Sequence, residues 1–317
     1  ALALSIVTGS LSLVISTLLA FWIVAGLHGS TRLAGVMGSF LSLPHLAFAI
    51  GFGFLIMPSG VFARIIGLLA GWSETPQWVT TQDPYGISLT AALVLKEVPF
   101  IVWLIAALLA RTDIGEMLAK QFRVGQSLGY GGASIWLRLF IPQILPRLKW
   151  PLIVVWVYGA SVVDMALAIG PTQPPTLAVI IWSDLNNVDQ TINARGSVGA
   201  LFLTAVLGGL AALFQLMMGI ASIATRRHLV AGPSLTQAPR RSSLALLAMF
   251  AAIYGLVLGV LVVMSVGAQW PYPNLLPSQI RWAAWFQLLN SPAPLVTSLT
   301  FIGGCVAVAL VLAVVWF

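Results

Sequence analysis

Long apolar runs, separated by short polar stretches, dominate the chain from one end to the other. A run of about 20 apolar residues can cross a bilayer as a helix. By this rule the predicted spans are residues 4–26, 33–57, 87–110, 148–170, 198–220, 244–266 and 295–317. A shorter apolar segment, 61–72, contains Arg64 and is predicted to lie at the interface or to re-enter the membrane. The pattern predicts an all-α, polytopic transmembrane helix bundle with about seven membrane spans.

Composition supports the same class of protein. The chain is 59% hydrophobic and 7% charged, with a mean hydropathy of +1.00, which excludes an ordinary soluble domain. The formal net charge of +7 would suggest nucleic acid as the partner of a soluble protein. In a membrane protein it is typical of basic loops on the cytoplasmic side. We therefore predict the lipid bilayer, and no nucleic acid, as a partner.

One polar stretch interrupts the apolar pattern in an ordered way, and its sequence is RVGQSLGYGGASIWLRLFIPQILP, residues 123–146. A capping pair of Asp113 and Glu116 is predicted to begin the helix before it. Gly129 is predicted to end that helix, and the following glycines permit a tight turn. A short amphipathic helix, 133–140, should then stop at Pro142. The segment 111–149 is therefore expected to project from the membrane as helix, turn and short helix.

The orientation of this loop can be tested with the basic residues. If the segment 111–149 is cytoplasmic, alternation of the spans places most of the Lys and Arg residues inside, Arg111, Lys120, Arg123, Arg138 and Arg147 among them. The opposite orientation would place them outside. The positive-inside bias therefore favours a cytoplasmic loop.

The spacing within this loop resembles the EAA loop of type I ABC importer permeases, which have the MetI-like fold. Gly129 takes the place of the family's glycine, and Leu139, Ile141 and Pro142 follow where the family has Ile, Leu and Pro. The Glu-Ala-Ala triplet itself is replaced by Arg123, Val124 and Gly125.

The resemblance implies a coupling helix that seats in a separate ATPase subunit. Tyr130, Ser134 and Arg138 are then expected to contact the ATPase, and Trp136 and Leu137 to pack. The alternative is a basic amphipathic loop that rests on anionic lipid headgroups.

The family resemblance also implies the partners and the location. They are cytoplasmic ABC ATPase subunits that bind ATP, a periplasmic or extracellular solute-binding protein and a second permease half, in the bacterial cytoplasmic (inner) membrane. The chain has no phosphate-cradling Gly-rich motif, no catalytic set and no metal-ligand spacing. We therefore predict that it is not an enzyme and holds no cofactor or metal of its own.

The spans also predict how the chain is organised. Residues 1–228 should form a first permease core of five spans around the loop, 229–242 a cytoplasmic linker, and 243–317 the start of a second half with two spans. This layout is similar to that of fused two-half permeases of the iron(III) and thiamine type. The substrate itself is not readable, and thiamine or iron is a guess from layout alone.

Ionisable residues fall within the predicted spans, where they are costly. Lys96 and Glu97 are adjacent in the third span, and Asp164 lies in the fourth. They are predicted either to line the translocation path or to form an interhelical ion pair, for instance Lys96 with Asp164. An alternative function uses them as the coupling sites of an ion-coupled secondary transporter.

Overall fold

The computed structural model describes residues 1–27, 30, 32–228 and 239–316, without the side chains of 217–228 and 316. Helices make up most of this part of the chain. They are α1 Leu2–Leu27, α2 Leu33–Leu41, α3 His45–Ile56, α4 Val61–Ala70, α5 Ile87–Ala110, α6 Thr112–Ser127, α7 Gly132–Ser161, α8 Asp164–Ile169, α9 Leu177–Leu185, α10 Gln190–His228, α11 Arg240–Val266, α12 Ala283–Asn290 and α13 Ala293–Trp316. Two short strands, β1 Gly267–Ala268 and β2 Gln279–Ile280, pair antiparallel.

The prediction of an all-α polytopic membrane protein is confirmed. Within the described residues, 7 helical stretches are long and apolar enough to cross a membrane. They are Leu2–Leu27, His45–Ala70, Ile87–Ala110, Gly132–Ser161, Gln190–Leu216, Arg240–Val266 and Ala293–Val315. We call the end of the bundle that carries α6 the loop end, and the opposite end the far end.

Helix α1 lies at the centre of the bundle and packs against α5, α7 and α11. Its buried face carries small residues at helical spacing, Ser5, Thr8, Gly9, Ser12 and Ser16 among them. Such residues let membrane helices approach closely. At Gly9 the approach leaves no room, since an added Cβ would lie 2.7 Å from the backbone nitrogen of Ala160 in α7.

The second predicted span, 33–57, is wrong. The helix breaks between Leu41 and His45, and the long apolar stretch at this place is α3 followed by α4. Pro44 adopts an extended conformation, with φ −58° and ψ 145°, and the residue before a proline is biased away from helix. Apolar content alone did not indicate this break.

The fourth predicted span, 148–170, also differs. Helix α7 begins far earlier, at Gly132, and ends at Ser161, after which α8 begins at Asp164. Two consecutive β-branched residues separate the two helices, and Val162 is extended with ψ 132°. β-Branched side chains favour extended backbone. Asp164 therefore lies at the start of a helix and not within one.

The far end is fixed by Arg64 of α4, which is buried at 4% exposure. Its guanidinium donates hydrogen bonds to the backbone oxygens of Trp270 (3.0 Å), Pro271 (2.9 Å) and Asn274 (2.6 Å). It also lies over the Trp270 ring, 5.1 Å from the centroid. One side chain thus holds the loop between β1 and β2 against α4.

The predicted linker 229–242 lies mostly outside the described residues, and α11 begins at Arg240. Helix α11, expected to belong to a second half, packs against α1 and α3, and its Ser243 hydroxyl donates to the Trp22 oxygen at 2.8 Å. Helix α13 is different, because none of its described side chains is buried. The division into two permease halves stays a prediction.

Candidate functional site

At the loop end, α6 ends at Ser127 and the chain turns through Gly129, as the glycine pattern predicts. Gly129 has a φ of +83°, the left-handed conformation that favours glycine. The backbone N–H of Tyr130 donates to the Gly125 oxygen at 3.0 Å, which closes the helix end. No capping pair begins α6. Asp113 instead binds Arg111 at 3.0 Å, and the Arg111 guanidinium holds the pKa of this carboxyl below its usual range.

The short helix that was predicted to stop at Pro142 does not exist. The backbone remains helical from Gly132 to Ser161, well beyond the proline. A proline inside a helix removes a hydrogen bond and clashes with the preceding turn. Here the turn Trp136–Phe140 is π-helical and Leu145–Leu148 is a 3₁₀ turn, so the altered turns accommodate the prolines. The segment predicted to couple to an ATPase is thus the first part of a long membrane helix.

A groove of about 480 Å³ lies between α6 and the start of α7. Its polar walls include Lys120, Gln121, Tyr130, Ser134 and Arg138, and its apolar walls include Val124, Leu128 and Leu139. Below it, Gln143 donates to the Gln121 side chain at 3.0 Å, which ties the two helices together. The helix–turn–helix is therefore a fixed unit with an open side.

The predicted contact residues of this loop differ in exposure. Arg123 and Gly129 are exposed, whereas Tyr130, Arg138, Leu139, Ile141 and Pro142 are half-buried. Ser134 is buried at 5% exposure, so its hydroxyl is not on the surface. Trp136 packs, as expected, but Leu137 is 65% exposed, so the prediction that Leu137 packs is wrong. Leu137, Leu128 and Val124 together place apolar side chains on the outside of the loop end.

In the middle of the bundle, Lys96 of α5 is almost fully buried, at 2% exposure. Its Nζ donates to the backbone oxygens of Leu43 (2.7 Å) and Phe40 (3.4 Å), at the break between α2 and α3. The ammonium also lies 5.7 Å from the ring centroids of Phe48 and Tyr254. Lys96 therefore satisfies carbonyl groups that the break leaves without helical partners.

Glu97 faces the other side of α5 and is 5% exposed. Its two oxygens accept hydrogen bonds from Ser12 (3.4 Å) and Ser16 (3.3 Å) of α1. Gly159 of α7 lies on its other side, where an added Cβ would come 3.1 Å from Oε1. Glu97 thus joins three helices at the centre of the bundle.

Asp164 is half-buried and does not pair with Lys96. The interhelical ion pair between these two residues, which the sequence suggested as an example, is therefore not present in the described structure. Its carboxylate lies within electrostatic range of His45 and Tyr158. The rings of these two residues are 5.1 Å apart. Sequence reasoning had not singled out His45 and Tyr158 for this site. The sequence contains one indication that His45 lies at a helix break, because His45 directly follows the helix-breaking Pro44.

Two helix breaks and an open helix–turn–helix are thus among the polar features of a largely apolar bundle. The chain is 30% identical over 220 residues to the inner membrane ABC transporter permease protein YnjC of Escherichia coli (strain K12). The match covers 68% of this chain and 40% of the length of that relative. No protein-family model matches the chain.

The similarity to YnjC, together with the seven apolar stretches, confirms the prediction of a multi-pass protein of the inner membrane. It also supports a permease of an ABC transporter rather than a catalytic enzyme. Because the chain spans about two fifths of the length of YnjC, the transported solute and the partners remain to be proposed from the residues.

Proposed function

We propose that this chain is a membrane-spanning permease subunit of a type I ABC importer. It forms part of the translocation path and couples to separate cytoplasmic ATPase subunits through the segment 111–149. An external solute-binding protein would deliver the solute, and ATP would bind only to the ATPase subunits. The similarity to YnjC supports the class of transporter.

The observation that carries the proposal is the helix–turn–helix at the loop end. Its apolar side chains Val124, Leu128 and Leu137 are 57%, 64% and 65% exposed, and the first two line an open groove. Exposed apolar residues gathered beside a groove, with polar and basic groups around them, are typical of a protein contact. The helix–turn–helix continues directly along α7. A displacement of the loop would therefore be transmitted along α7 to the break before Asp164.

In this mechanism the chain does no covalent chemistry. Closure of the ATPase subunits on ATP would move the α6–α7 unit, and α7 would move against α1 and α5, on which it packs. The result is alternating access of a central path to the two sides of the membrane. Hydrolysis in the ATPase subunits would restore the first state.

The test is co-purification of the full-length protein with its ATPase subunit from detergent. The Leu137→Asp change places a charge on the exposed loop surface and is expected to abolish recovery of the ATPase. Val188→Asp is the matched control, because Val188 is 99% exposed in a turn at the far end and its substitution should leave recovery unchanged. Full recovery with Leu137→Asp would exclude this surface as the contact. Solute uptake driven by a proton or sodium gradient, with no ATPase recovered, would favour the secondary transporter instead.

A further inference from the structure

Two helix breaks meet in the middle of the bundle and expose polar side chains there. One break precedes His45 of α3, and the other precedes Asp164 of α8, and these two helices pack side by side. His45 is exposed, while Tyr158 and Asp164 are half-buried. Lys96, which lies about 15 Å along α5 at 1.5 Å per residue, binds the first break directly. The breaks therefore lie at membrane depth.

The ionisable groups around these breaks are not equivalent. Lys96 donates to backbone oxygens, and Glu97 accepts from two serines. In the part of the chain that the structure describes, the Asp164 carboxylate has neither a hydrogen bond nor a salt bridge. An ionised side chain at the centre of a membrane costs roughly 2.5 to 3.5 kcal/mol on insertion scales. An ionised Asp164 therefore needs a partner from outside the described residues, such as water or a solute.

A cavity of about 460 Å³ lies on the far-end side of this place, and its lining begins one helical turn from Asp164. It lies along the seam between α3 and α8, where Gly53 and Ile169 contribute to its walls. Asp164 lies one helical turn from Ala168, another lining residue, so the two share a face of α8. The outer part of the cavity is polar, with Ser59, Thr75, Thr81 and Gln82 in its walls.

The charge of the seam follows from the contacts of the nearby ionisable residues. Lys96 is buried behind the break, and Arg64 uses its hydrogen-bond donors on backbone oxygens of Ser59 and of the loop between β1 and β2. Asp164 is thus the formal charge that helices α3 and α8 themselves contribute to the described seam. The paired rings of Tyr158 and His45 lie within electrostatic range of it, and a tyrosine ring near a carboxylate is suited to a cation. A volume of several hundred cubic ångströms is that of a small-molecule site.

We propose that the seam between α3 and α8 binds a small organic cation, with Asp164 pairing with its charge and the rings of Tyr158 and His45 packing against it. The cation enters from the far end through the cavity. This assignment of a substrate class rests on the proposed transport function, which it makes more specific.

The test measures cysteine reactivity in the full-length protein, in membranes, with Cys305 replaced by Ala. His45→Cys provides a reporter in the seam, and Val188→Cys provides a control reporter in the far-end turn. The probes are two methanethiosulfonates of similar size, one with a trimethylammonium group and one with a sulfonate. Each reporter is examined with Asp164 and with Asp164→Asn.

At the His45→Cys reporter we compare the ratio of the cationic to the anionic reaction rate in two proteins. The ratio is expected to be about five- to tenfold higher with Asp164 than with Asp164→Asn, which is the size of a Coulomb effect at short range. The ratio at Val188→Cys should not change. Tetramethylammonium chloride should slow the cationic reagent at His45→Cys at least about twofold relative to sodium chloride at the same ionic strength.

Two results would overturn the proposal. One is equal ratios with Asp164 and Asp164→Asn, which would show that the carboxylate does not act on solutes in the seam. The other is no reaction at His45→Cys while Val188→Cys reacts, which would show that the seam is closed to water. Neither measurement requires an ATPase, so failure of the wild-type protein to recover an ATPase, with charge selectivity intact, would refute the importer and leave the cation site.

Discussion

The ionisable residues of helix α5 have hydrogen-bond partners within the protein, whereas Asp164 in the α3–α8 seam has none among the described residues. Along α5, the oxygens of Glu97 accept hydrogen bonds from serines and the ammonium of Lys96 donates to backbone oxygens. At the far end of the same helix, Asp83 accepts from the backbone N–H groups of Ile87 and Ser88. In the seam, Asp164 has no such partner among the described groups. A charge within an apolar sequence therefore has either a structural or a solute-binding role, and its contacts distinguish the two.

The largest expected effect is that of Lys96→Met. Removal of the ammonium leaves the oxygens of Phe40 and Leu43 without a donor inside the bundle, and a buried unpaired polar group costs about 1 to 3 kcal/mol. We expect the free energy of unfolding in detergent to fall by about 2 kcal/mol. Thermal unfolding followed by tryptophan fluorescence measures it.

Lys120→Met is the control for that change, because Lys120 lies on the surface of α6 and pairs with Glu116 at only 3.9 Å. Its effect should stay below about 0.5 kcal/mol. Equal unfolding midpoints for the two variants would contradict the structural role of Lys96.

A smaller effect is expected for Asp83→Asn, and it should depend on pH. Burial raises the pKa of Asp83, but hydrogen bonds from Ser88, Ile87 and Tyr85 outweigh it and hold the pKa below its usual range. The ionised form therefore stabilises the fold above the unfolded pKa of about 3.9, and this contribution is lost as pH falls through the folded value.

At neutral pH, Asp83→Asn should cost about 1 kcal/mol, the size of a helix-capping contribution. The wild-type protein should lose this advantage on acidification, so the two unfolding midpoints converge at low pH. A constant difference between them from neutral to acid pH would show that the charge of Asp83 does not stabilise α5.

The smallest effect on stability is expected for Asp164→Asn, since no protein group among the described residues loses a partner. The free energy of unfolding should change by less than about 0.5 kcal/mol, as for a surface position, while uptake of the transported solute is lost. Glu97→Ala is the contrasting change, because it removes the acceptor for Ser12 and Ser16. If Asp164→Asn destabilised the protein as much as Glu97→Ala, Asp164 would be a structural residue. The contrast between α5 and the seam would then be contradicted.

Much of the fold was readable from local sequence, and the exceptions have a common cause. Apolar runs located α1, α5 and α11, and Gly129 located the turn after α6. The breaks before His45 and Asp164 were not found, because the runs around them are apolar enough to continue. One break depends on Lys96, which comes from a distant part of the chain, and no local pattern contains that contact.

Apolar content also did not reveal which helices pack inside the bundle. An 18-residue window has a mean hydropathy of 2.1 in α1 and 2.5 in α13, yet 56% of the first window and 0% of the second is buried. The difference lies in one face of α1, where small residues allow contact with α5 and α7. In the candidate site, Gly129 and Asp164 were predicted from sequence, whereas Tyr158 required the structure because it approaches Asp164 only through the second break.

The most direct test of the coupling proposal is the ATP turnover of the ATPase subunit with and without the full-length permease. Gly129→Pro should abolish the change in turnover that the wild-type permease causes, because proline cannot adopt a φ of +83°. Gly71→Pro is the matched control, since Gly71 has a φ of +70° at the end of α4, also with open space around it. If turnover changes with wild type and Gly71→Pro but not with Gly129→Pro, the helix–turn–helix is the coupling element. Equal changes with all three proteins would contradict the account.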